Sequence, residues 1–303
     1  MGNPIIVLTG PTASGKTAIS LDLAKKFNGE IIAADSMTVY RGMSIGTDKP
    51  THNAKYTIYN AEINGIPHHM INILNPDEEF NVSIFKGLAE KEIKEIQRRD
   101  NIPFLVGGST LYIDALVYDY QMPDPKPNLK LRQSLEVNSN EELFSRLIEL
   151  DPDAKWTVDK NNKRRLIRAL EVSIQSEKPF TKQKSKEKLP KNVFYLAIER
   201  DRQELYERIN KRVDEMMNNG FLDEVKELHK KYDLNTAMQA TGYRQLVQYL
   251  KGEISLEEAV EKTKQSHRNY AKRQLTWLRR NKDVIWIKNE SEAEEEIREF
   301  LKS

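Results

Sequence analysis

Apolar residues in the first third of the chain come in short blocks separated by polar, glycine-containing turns. Ile5–Leu8, Glu30–Ala34, Met70–Leu74 and Ile102–Val106 are each only a few residues long and largely apolar, as strands buried inside a sheet are. Between them the period changes. Ile19, Leu23 and Phe27 recur at helical spacing, and Ile84, Phe85, Leu88, Ile93 and Ile96 form a stripe along Val82–Arg99. Strands alternating with helices predict an α/β domain whose parallel sheet carries helices on both faces. In such sheets ligands collect at the carboxyl ends of the strands.

The pattern changes after Tyr120. Gln121-Met122-Pro123-Asp124-Pro125-Lys126-Pro127 is rich in structure breakers and reads as a linker. Leu129–Leu150 and Asn161–Gln175 then read as charged helices. Thr181–Lys191 carries Lys182, Lys184, Lys186, Lys188 and Lys191 with little to bury, so a loop is expected there. Val193–Ile198 returns as an apolar strand. Helices follow at Gln203–Asn218, Leu222–Lys231, Gln239–Leu250 and Leu256–Asn281, then a short strand at Val284–Ile287 and an acidic terminal helix. The expected organisation is a catalytic α/β core from residues 1–120 and 193–303, interrupted by a helical insertion domain at 121–192. No internal repeat is visible.

Composition narrows the function classes. With 48 Lys and Arg against 46 Asp and Glu, the net charge is only +2, so any basic surface must be local. The absence of cysteine excludes disulfides, thiolate metal sites and a Cys nucleophile. No stretch approaches the roughly 18 apolar residues of a membrane span. The amino terminus enters a strand directly, without a signal-peptide layout. A soluble, cytoplasmic protein is expected.

The chemistry begins after the first strand. Gly10-Pro11-Thr12-Ala13-Ser14-Gly15-Lys16-Thr17 matches G-x-x-x-x-G-K-[ST], the phosphate-binding loop, with a strand before it and a helix after it. Glycines let the backbone curl so that N–H groups face an anion, and the helix start adds its own free N–H groups. Lys16 offers a mobile charge, and Thr17 a hydroxyl suited to Mg²⁺. A di- or triphosphate is the expected ligand. An ordinary NTPase would place a second acid at the end of a later strand. Here Ile102–Val106 ends in Gly107-Gly108, and Phe194–Ile198 ends in Glu199-Arg200. The candidate acid is Asp35, which can hold a metal-bound water, accept a proton from a nucleophile, or simply cap a turn. Ser109 and Thr110 are equally open between capping the next helix and touching substrate.

Two further patterns are basic. Arg208 and Arg212 lie four apart on one helix face, as do the cations of Lys163–Arg168; solvated faces explain both as readily as phosphate contacts do. The helix at Leu256–Asn281 is more telling. It carries Lys262, Lys264, Arg268, Lys272, Arg273, Arg279 and Arg280, with His267, Tyr270 and Trp277 interleaved, and no acid between Glu261 and Asp283. One sign of charge with aromatics, in a chain near neutrality, fits a phosphate backbone with stacked bases. His52, His68, His69, His229 and His267 lack metal-ligand spacing and read as structural.

Taken together, these segments resemble the tRNA dimethylallyltransferases (tRNA isopentenyltransferases) of bacterial type, over almost the whole chain. The resemblance rests on Gly10–Thr17, Asp35-Ser36, Tyr40-Arg41-Gly42-Met43, Ile45-Gly46-Thr47 with Lys49-Pro50, and Val106-Gly107-Gly108 with Leu111-Tyr112. It continues through Arg165-Leu166, Arg168–Val172, Arg208-Ile209 with Arg212, Gly220-Phe221, Gly242–Gln245 and Lys272–Arg279. The family has a P-loop NTPase-like fold and transfers a dimethylallyl group from dimethylallyl diphosphate to N6 of adenosine 37 in tRNA. The resemblance implies that the loop Gly10–Thr17 holds a diphosphate leaving group, with Lys16 and Thr17 on its oxygens and Mg²⁺ at Thr17. Asp35 would act as general base, and Arg212 would neutralise charge on the departing diphosphate. The target base would leave its stack and enter a channel between the two domains. Contacts to the tRNA anticodon stem-loop are implied for Asp35, Ser36, Met37, Thr38, Ser109, Lys130, Arg164, Arg165, Leu166, Ile167 and Arg168. Gln239, Gly242, Tyr243, Arg244, Lys272, Arg273, Gln274, Trp277 and Arg279 complete that set.

Some positions depart from the family pattern. Ser109 stands where Thr is usual, keeping the hydroxyl; Thr38 stands where many members have Gln; Lys130 replaces a common Arg and loses a bidentate phosphate contact. The zinc finger of eukaryotic members has no counterpart here, in keeping with a bacterial member acting as a monomer without a membrane partner. Three rivals share parts of the pattern: a P-loop small-molecule kinase, an adenylate isopentenyltransferase acting on free nucleotides, and an RNA-binding NTPase switch. None of these accounts for the loop, Asp35 and the basic helix at once.

Overall fold

The computed structural model describes residues 3–50, 54–57, 60–120, 127–183, 188–232 and 237–303. His52, the linker residues Gln121 to Lys126, and Lys184 and Lys186 lie outside the described residues. The chain forms two compact units, one from Met1–Val117 with Leu189–Ser303, the other Tyr118–Lys188.

The first unit opens with β1 (Ile5–Thr9), α1 (Lys16–Lys26) and β2 (Gly29–Ala33), followed by β3 (Ala54–Tyr56), β4 (Asn60–Ile63) and β5 (Ile66–His69). Then come α2 (Val82–Arg98), β6 (Ile102–Gly107) and α3 (Thr110–Val117). The second unit consists of α4 (Leu129–Glu136), α5 (Asn140–Leu150), α6 (Ala154–Thr157), α7 (Lys163–Ser176) and a 3₁₀ turn at Phe180–Gln183. The first unit resumes with β7 (Val193–Ile198), α8 (Arg202–Asn218), α9 (Phe221–Lys231), α10 (Tyr243–Leu250), α11 (Leu256–Arg279), β8 (Ile285–Ile287) and α12 (Glu290–Lys302).

The strands form one sheet in the order β3-β4-β5-β2-β6-β1-β7-β8. From β5 to β8 it is parallel, and β3-β4-β5 is an antiparallel meander at one edge. The register aligns Thr9 with Gly107 and with Ala197, and Ala33 with Val106, so the carboxyl ends of β1, β6, β7 and β2 share one rim. Strand β1 is central and covered on both faces, which is why Ile6, Val7 and Leu8 are wholly buried in an unbroken apolar run. Ile6, Leu8, Ile31, Phe104 and Leu196 pack under Leu23 and Ala24 of α1 and Ile297 of α12. Each such side chain contributes roughly 1.5–3 kcal/mol by leaving water. Gly107 is required at the rim, because a Cβ there would collide with the Ala34 carbonyl of the neighbouring strand.

In the second unit Leu135, Leu143, Leu147, Leu166 and Leu170 make the core. Its buried Glu171 accepts hydrogen bonds from Arg132 Nε and Nη2 at 2.9 and 3.0 Å, Arg168 Nη1 at 2.6 Å and Asn128 N–H at 2.6 Å. Burial alone would raise its carboxyl; these donors outweigh that and hold it below the usual carboxylate range.

The α/β class with a phosphate-loop core and helices on both faces is what the chain adopts, with three differences in detail. Met70–Leu74 is not a strand: the strand is Ile66–His69, and Met70 and Asn72 turn it aside with φ of 64° and 57°. The meander strands β3 and β4 give the sheet its antiparallel edge. The run Leu129–Leu150 is two helices, broken before Ser139, whose capping box with Glu142 starts α5. Among the described residues no helix is long and apolar enough to cross a membrane.

Candidate active site

The turn between β1 and α1 is fixed by backbone conformations that side chains resist. Gly10 and Gly15 have φ of 147° and 94°, and Ala13 sits at 63°. Ser14 N–H closes the loop on the Pro11 carbonyl at 3.2 Å, and Arg200 Nε reaches the Ser14 carbonyl at 3.1 Å. Lys16 folds its ammonium back onto the loop, donating to the carbonyls of Gly10 at 3.0 Å and Pro11 at 2.8 Å. Burial, and then the nearby Arg212, lower its pKa to about 7. Among the described residues Ser14 Oγ is buried without a hydrogen-bond partner, and the exposed Thr17 opens the first turn of α1. The loop is an anion cradle with unspent donors.

The cradle forms one wall of a 700 Å³ cavity at the carboxyl rim of the sheet, also lined by Asp35 and Thr38 beyond β2 and by Gly107 and Gly108 at the end of β6. Asp35 Oδ1 accepts the N–H groups of Met37 at 2.8 Å and Thr38 at 3.3 Å. Among the described residues Oδ2 accepts no hydrogen bond, and the neighbouring Thr38 Oγ1 is buried without one. Ser109 Oγ accepts the Ser36 N–H at 3.1 Å, tying the loop after β6 to the loop after β2. A polar carboxylate therefore faces the cradle across the same cavity. A third part of the wall is apolar, from Ile31, Ala33, Ile71 and Val106. His68 joins it in neutral form, since burial pushes its pKa down to about 4 and Nδ1–H donates to the Ile66 carbonyl at 2.9 Å.

Helix α8 brings Arg208, Lys211 and Arg212 to the cavity. Arg212 Nη1 donates to Thr12 Oγ1 at 2.8 Å, and its Nε lies 3.3 Å from the Asp48 carboxylate. The segment bearing Asp48 is held from two sides. Glu224 on α9 accepts the N–H groups of Ser44, Ile45 and Gly46 at 2.8, 2.7 and 3.1 Å, and the Tyr243 hydroxyl at 2.6 Å. Buried Lys49 donates to the carbonyl of Tyr40 and to Asn72 Oδ1. Burial lowers its pKa to about 7, against the raising effect of Glu224 and Asp35.

Most site residues expected from sequence converge here. Thr12 to Thr17, Asp35, Thr38, Arg212 and Gln274 line the cavity, Gly10 and Pro11 complete the loop, and Ser36, Met37 and Ser109 adjoin it. Lys272, Arg273, Trp277 and Arg279 lie exposed along α11, and Gln239 and Arg244 are exposed as well. Trp277 Nε1 donates to Asp114 Oδ2 at 2.7 Å. Lys130, Arg164 and Arg165 are exposed on the second unit, and Arg168 is bound to Glu171.

Five of the expected RNA contacts are buried residues. Leu166 and Ile167 are buried in the core of the second unit, because they form the apolar stripe of α7. Tyr243 is wholly buried with its hydroxyl on Glu224, and Gly242 is buried beside Phe221. Gln274 is 3% exposed and turned inward. The side chains of Leu166, Ile167 and Tyr243 are packed inside the protein, whereas Gln274, though 3% exposed, still lines the cavity. Conversely, the cavity residues Arg208, Lys211, Asp48, Tyr270 and His68, and the anchor Glu224, were not singled out as site residues. Two of them carried a signal: Arg208 in its i, i+4 spacing from Arg212 on a face that reads equally as solvated, and Tyr270 as an aromatic interleaved on the basic helix.

A family model described as IPP transferase matches residues 38–281, and one described as isopentenyl transferase matches residues 3–59. The chain is 44% identical to a tRNA dimethylallyltransferase of Anoxybacillus flavithermus, over 95% of this chain and 91% of that one. It is 44% identical to one of Acetivibrio thermocellus, over 98% and 96%. A crystal structure of a tRNA isopentenylpyrophosphate transferase from Bacillus halodurans superposes with a TM-score of 0.72 at 38% identity, covering 99% of this chain and 96% of that one. A eukaryotic dimethylallyltransferase acting on tRNA superposes at 0.79 with 29% identity, covering 95% and 74%.

Proposed function

This chain belongs to the IPP transferase family as a tRNA dimethylallyltransferase, and from that premise we propose how its cavity performs the transfer. The enzyme transfers a dimethylallyl group to tRNA. In our reading the donor is dimethylallyl diphosphate, the acceptor is N6 of adenosine 37 beside the anticodon, and the enzyme works in the cytoplasm as a monomer.

The observation that carries this reading is a single cavity joining three chemistries: an anion cradle, an apolar wall and a carboxylate with a free oxygen. The diphosphate sits in the loop Gly10–Thr17, taking donors from the backbone, Ser14 Oγ, Thr17 and Lys16. The five-carbon chain lies along Ile31, Ala33, Ile71 and Val106. The N6 amine attacks the allylic C1 as the C1–O bond breaks. The bonding pair leaves with the diphosphate, and the proton from N6 passes to Asp35 Oδ2. Arg212, with Arg208 and Lys16, meets the charge that grows on the leaving group. Arg212 is shared between Thr12 and Asp48 beforehand, so the cation is already aimed when charge develops.

The exposed hydroxyl of Thr17, an oxygen donor at the cradle's edge, would hold a divalent cation, Mg²⁺, once a diphosphate is bound. Among the described residues no three His, Cys, Asp or Glu side chains are grouped to hold a metal without such help. A bound cation would supply neutralisation of the leaving group.

The test is transfer of label from dimethylallyl diphosphate to unmodified tRNA, with labelled ATP as control. Wild-type protein is expected to alkylate tRNA and leave ATP intact; phosphoryl transfer from ATP would overturn the reading. Asp35→Ala is expected to lower turnover by about 10² or more, with tRNA affinity within a few-fold. Near-normal turnover in that variant would remove Asp35 as the base.

A further inference from the structure

Helix α11 enters the sequence reading as an RNA-binding helix, yet its inward side does something different. Gln274 Oε1 accepts the Thr12 N–H at 2.9 Å, and Nε2 donates to the Gly108 carbonyl at 2.8 Å. One amide thus spans the anion cradle after β1 and the loop after β6. Its two ends need opposite roles, an acceptor and a donor, which among uncharged side chains of this length only a carboxamide supplies. A Cβ at Gly108 would strike Gln274 Nε2, so any side chain there would push the amide out of its place. One turn earlier on the same helix, Tyr270 Oη donates to the same Gly108 carbonyl at 3.3 Å.

The consequences run in two directions. The Thr12 N–H is committed to Gln274, so the orientation of that peptide within the cradle is set by α11. The same residue's hydroxyl accepts from Arg212 at 2.8 Å. On the other side, Gly108 leads into Ser109, whose N–H donates to the Ala34 carbonyl at 3.2 Å and whose Oγ accepts from Ser36 at 3.1 Å. Ala34 and Ser36 flank Asp35. A chain of short hydrogen bonds therefore links the cradle to the carboxylate through Gln274.

We propose that Gln274 is a positioning residue for the transfer reaction, fixing the separation of the diphosphate cradle from the Asp35 loop, rather than a residue that touches RNA. The inference rests on the reading of the cavity given above. Displacement of reacting groups by about 1 Å costs on the order of 10² in rate, so the brace acts on turnover as well as on donor binding.

The test compares three variants with wild type in steady-state transfer from dimethylallyl diphosphate, and in direct tRNA binding. Gln274→Met keeps the bulk and removes both hydrogen bonds. It is expected to lower kcat by about 10- to 100-fold and raise the donor KM about tenfold, with tRNA Kd within about threefold. Tyr270→Phe removes the hydroxyl beside Gly108 and Gln274 but leaves the Thr12–Gln274 hydrogen bond in place, so kcat falls while the donor KM holds. Gln274→Asn keeps the amide but is one methylene too short to reach both partners. It must show the same direction as Met, and it carries the test alone if the Met variant does not fold. A rise in tRNA Kd of tenfold or more with an unchanged donor KM would make Gln274 an RNA contact and overturn the proposal. Unchanged kcat and KM would overturn it equally. Should wild-type protein transfer no label, the reading of the cavity fails instead, which the variants alone cannot mimic.

Discussion

Lys16 holds its ammonium against the carbonyls of Gly10 and Pro11, the lip of the cradle it would serve. Burial and the Arg212 guanidinium bring its pKa down to about 7, so near neutrality the free protein holds a mixture of charged and neutral lysine. A diphosphate in the cradle favours the charged form and raises that pKa. Binding therefore takes up a proton above pH 7 and none well below it, and affinity is full below pH 7 and declines as pH rises through it. Calorimetry with inorganic sulfate, an anion that does not itself titrate in this range, run in buffers of different ionisation enthalpy, is expected to show uptake approaching one proton at pH 8 and little at pH 6. Equal uptake at both pH values would mean that another group titrates. The Arg212–Asp48 contact is the counterpart on the opposite wall: a cation shared with an exposed carboxylate can move to a stronger anion at small cost.

Where β2 begins, Glu30 is buried and accepts from Arg99 Nε and Nη2 at 2.9 and 2.8 Å, Asn101 at 2.7 Å and His69 Nε2 at 2.6 Å. Burial would raise its carboxyl, but these donors prevail and hold it at about 2, against an ordinary value of 4.5. A depressed folded-state pKa means that its stabilisation is full above pH 4.5 and is lost as pH falls toward 2. Glu30→Gln is expected to unfold at lower urea concentration than wild type at pH 7. The gap should narrow below about pH 4.5; a gap independent of pH down to 3 would mean that the carboxylate charge is not what joins β2, β5 and the end of α2. This cluster was not visible in the sequence, because it joins residues up to 71 positions apart. The strand–loop–helix from Ile5 to Lys26 was legible because strand, glycines and helix start are contiguous and each reports the same backbone path. Met70 and Ile71 misled for the opposite reason: an apolar run reports burial, while left-handed turns at Met70 and Asn72 end the strand. The short meander strands β3 and β4 lacked the length and alternation that mark a strand. Gln274 entered the expected RNA contacts through the family resemblance alone, and its two hydrogen bonds to Thr12 and Gly108 join residues too far apart in sequence to be foreseen.

A net charge of +2 conceals an uneven distribution, and pairing decides which cations remain for an RNA. On α11, Lys262 is bound to Glu258 at 2.7 Å, Lys264 to Asp214 at 2.8 Å and Glu261 at 3.1 Å, and Arg268 to Asn210. Two of the seven cations that looked uniformly basic are therefore paired with acids, Lys262 and Lys264 with glutamates one turn earlier on the same helix and Lys264 also with Asp214, which a linear reading does not bring near. Beyond His267, Lys272, Arg273, Arg279 and Arg280 are exposed, and the second unit separately exposes Arg164 and Arg165. Each cation that meets a phosphate releases condensed counterions, so its removal both weakens tRNA binding and flattens the dependence of log K on log salt, by roughly 0.7–0.9 per contact. Lys272→Ala is expected to do both. Lys262→Ala, which removes a cation already balanced by Glu258, is expected to leave the slope unchanged. Binding titrations of unmodified tRNA across a salt series measure the two slopes in one experiment. If Lys262→Ala flattens the slope as much as Lys272→Ala does, the RNA footprint follows total charge along the helix, not the unpaired cations. If neither variant changes it, α11 lies outside the footprint, and the exposed arginines of α7 become the place to look.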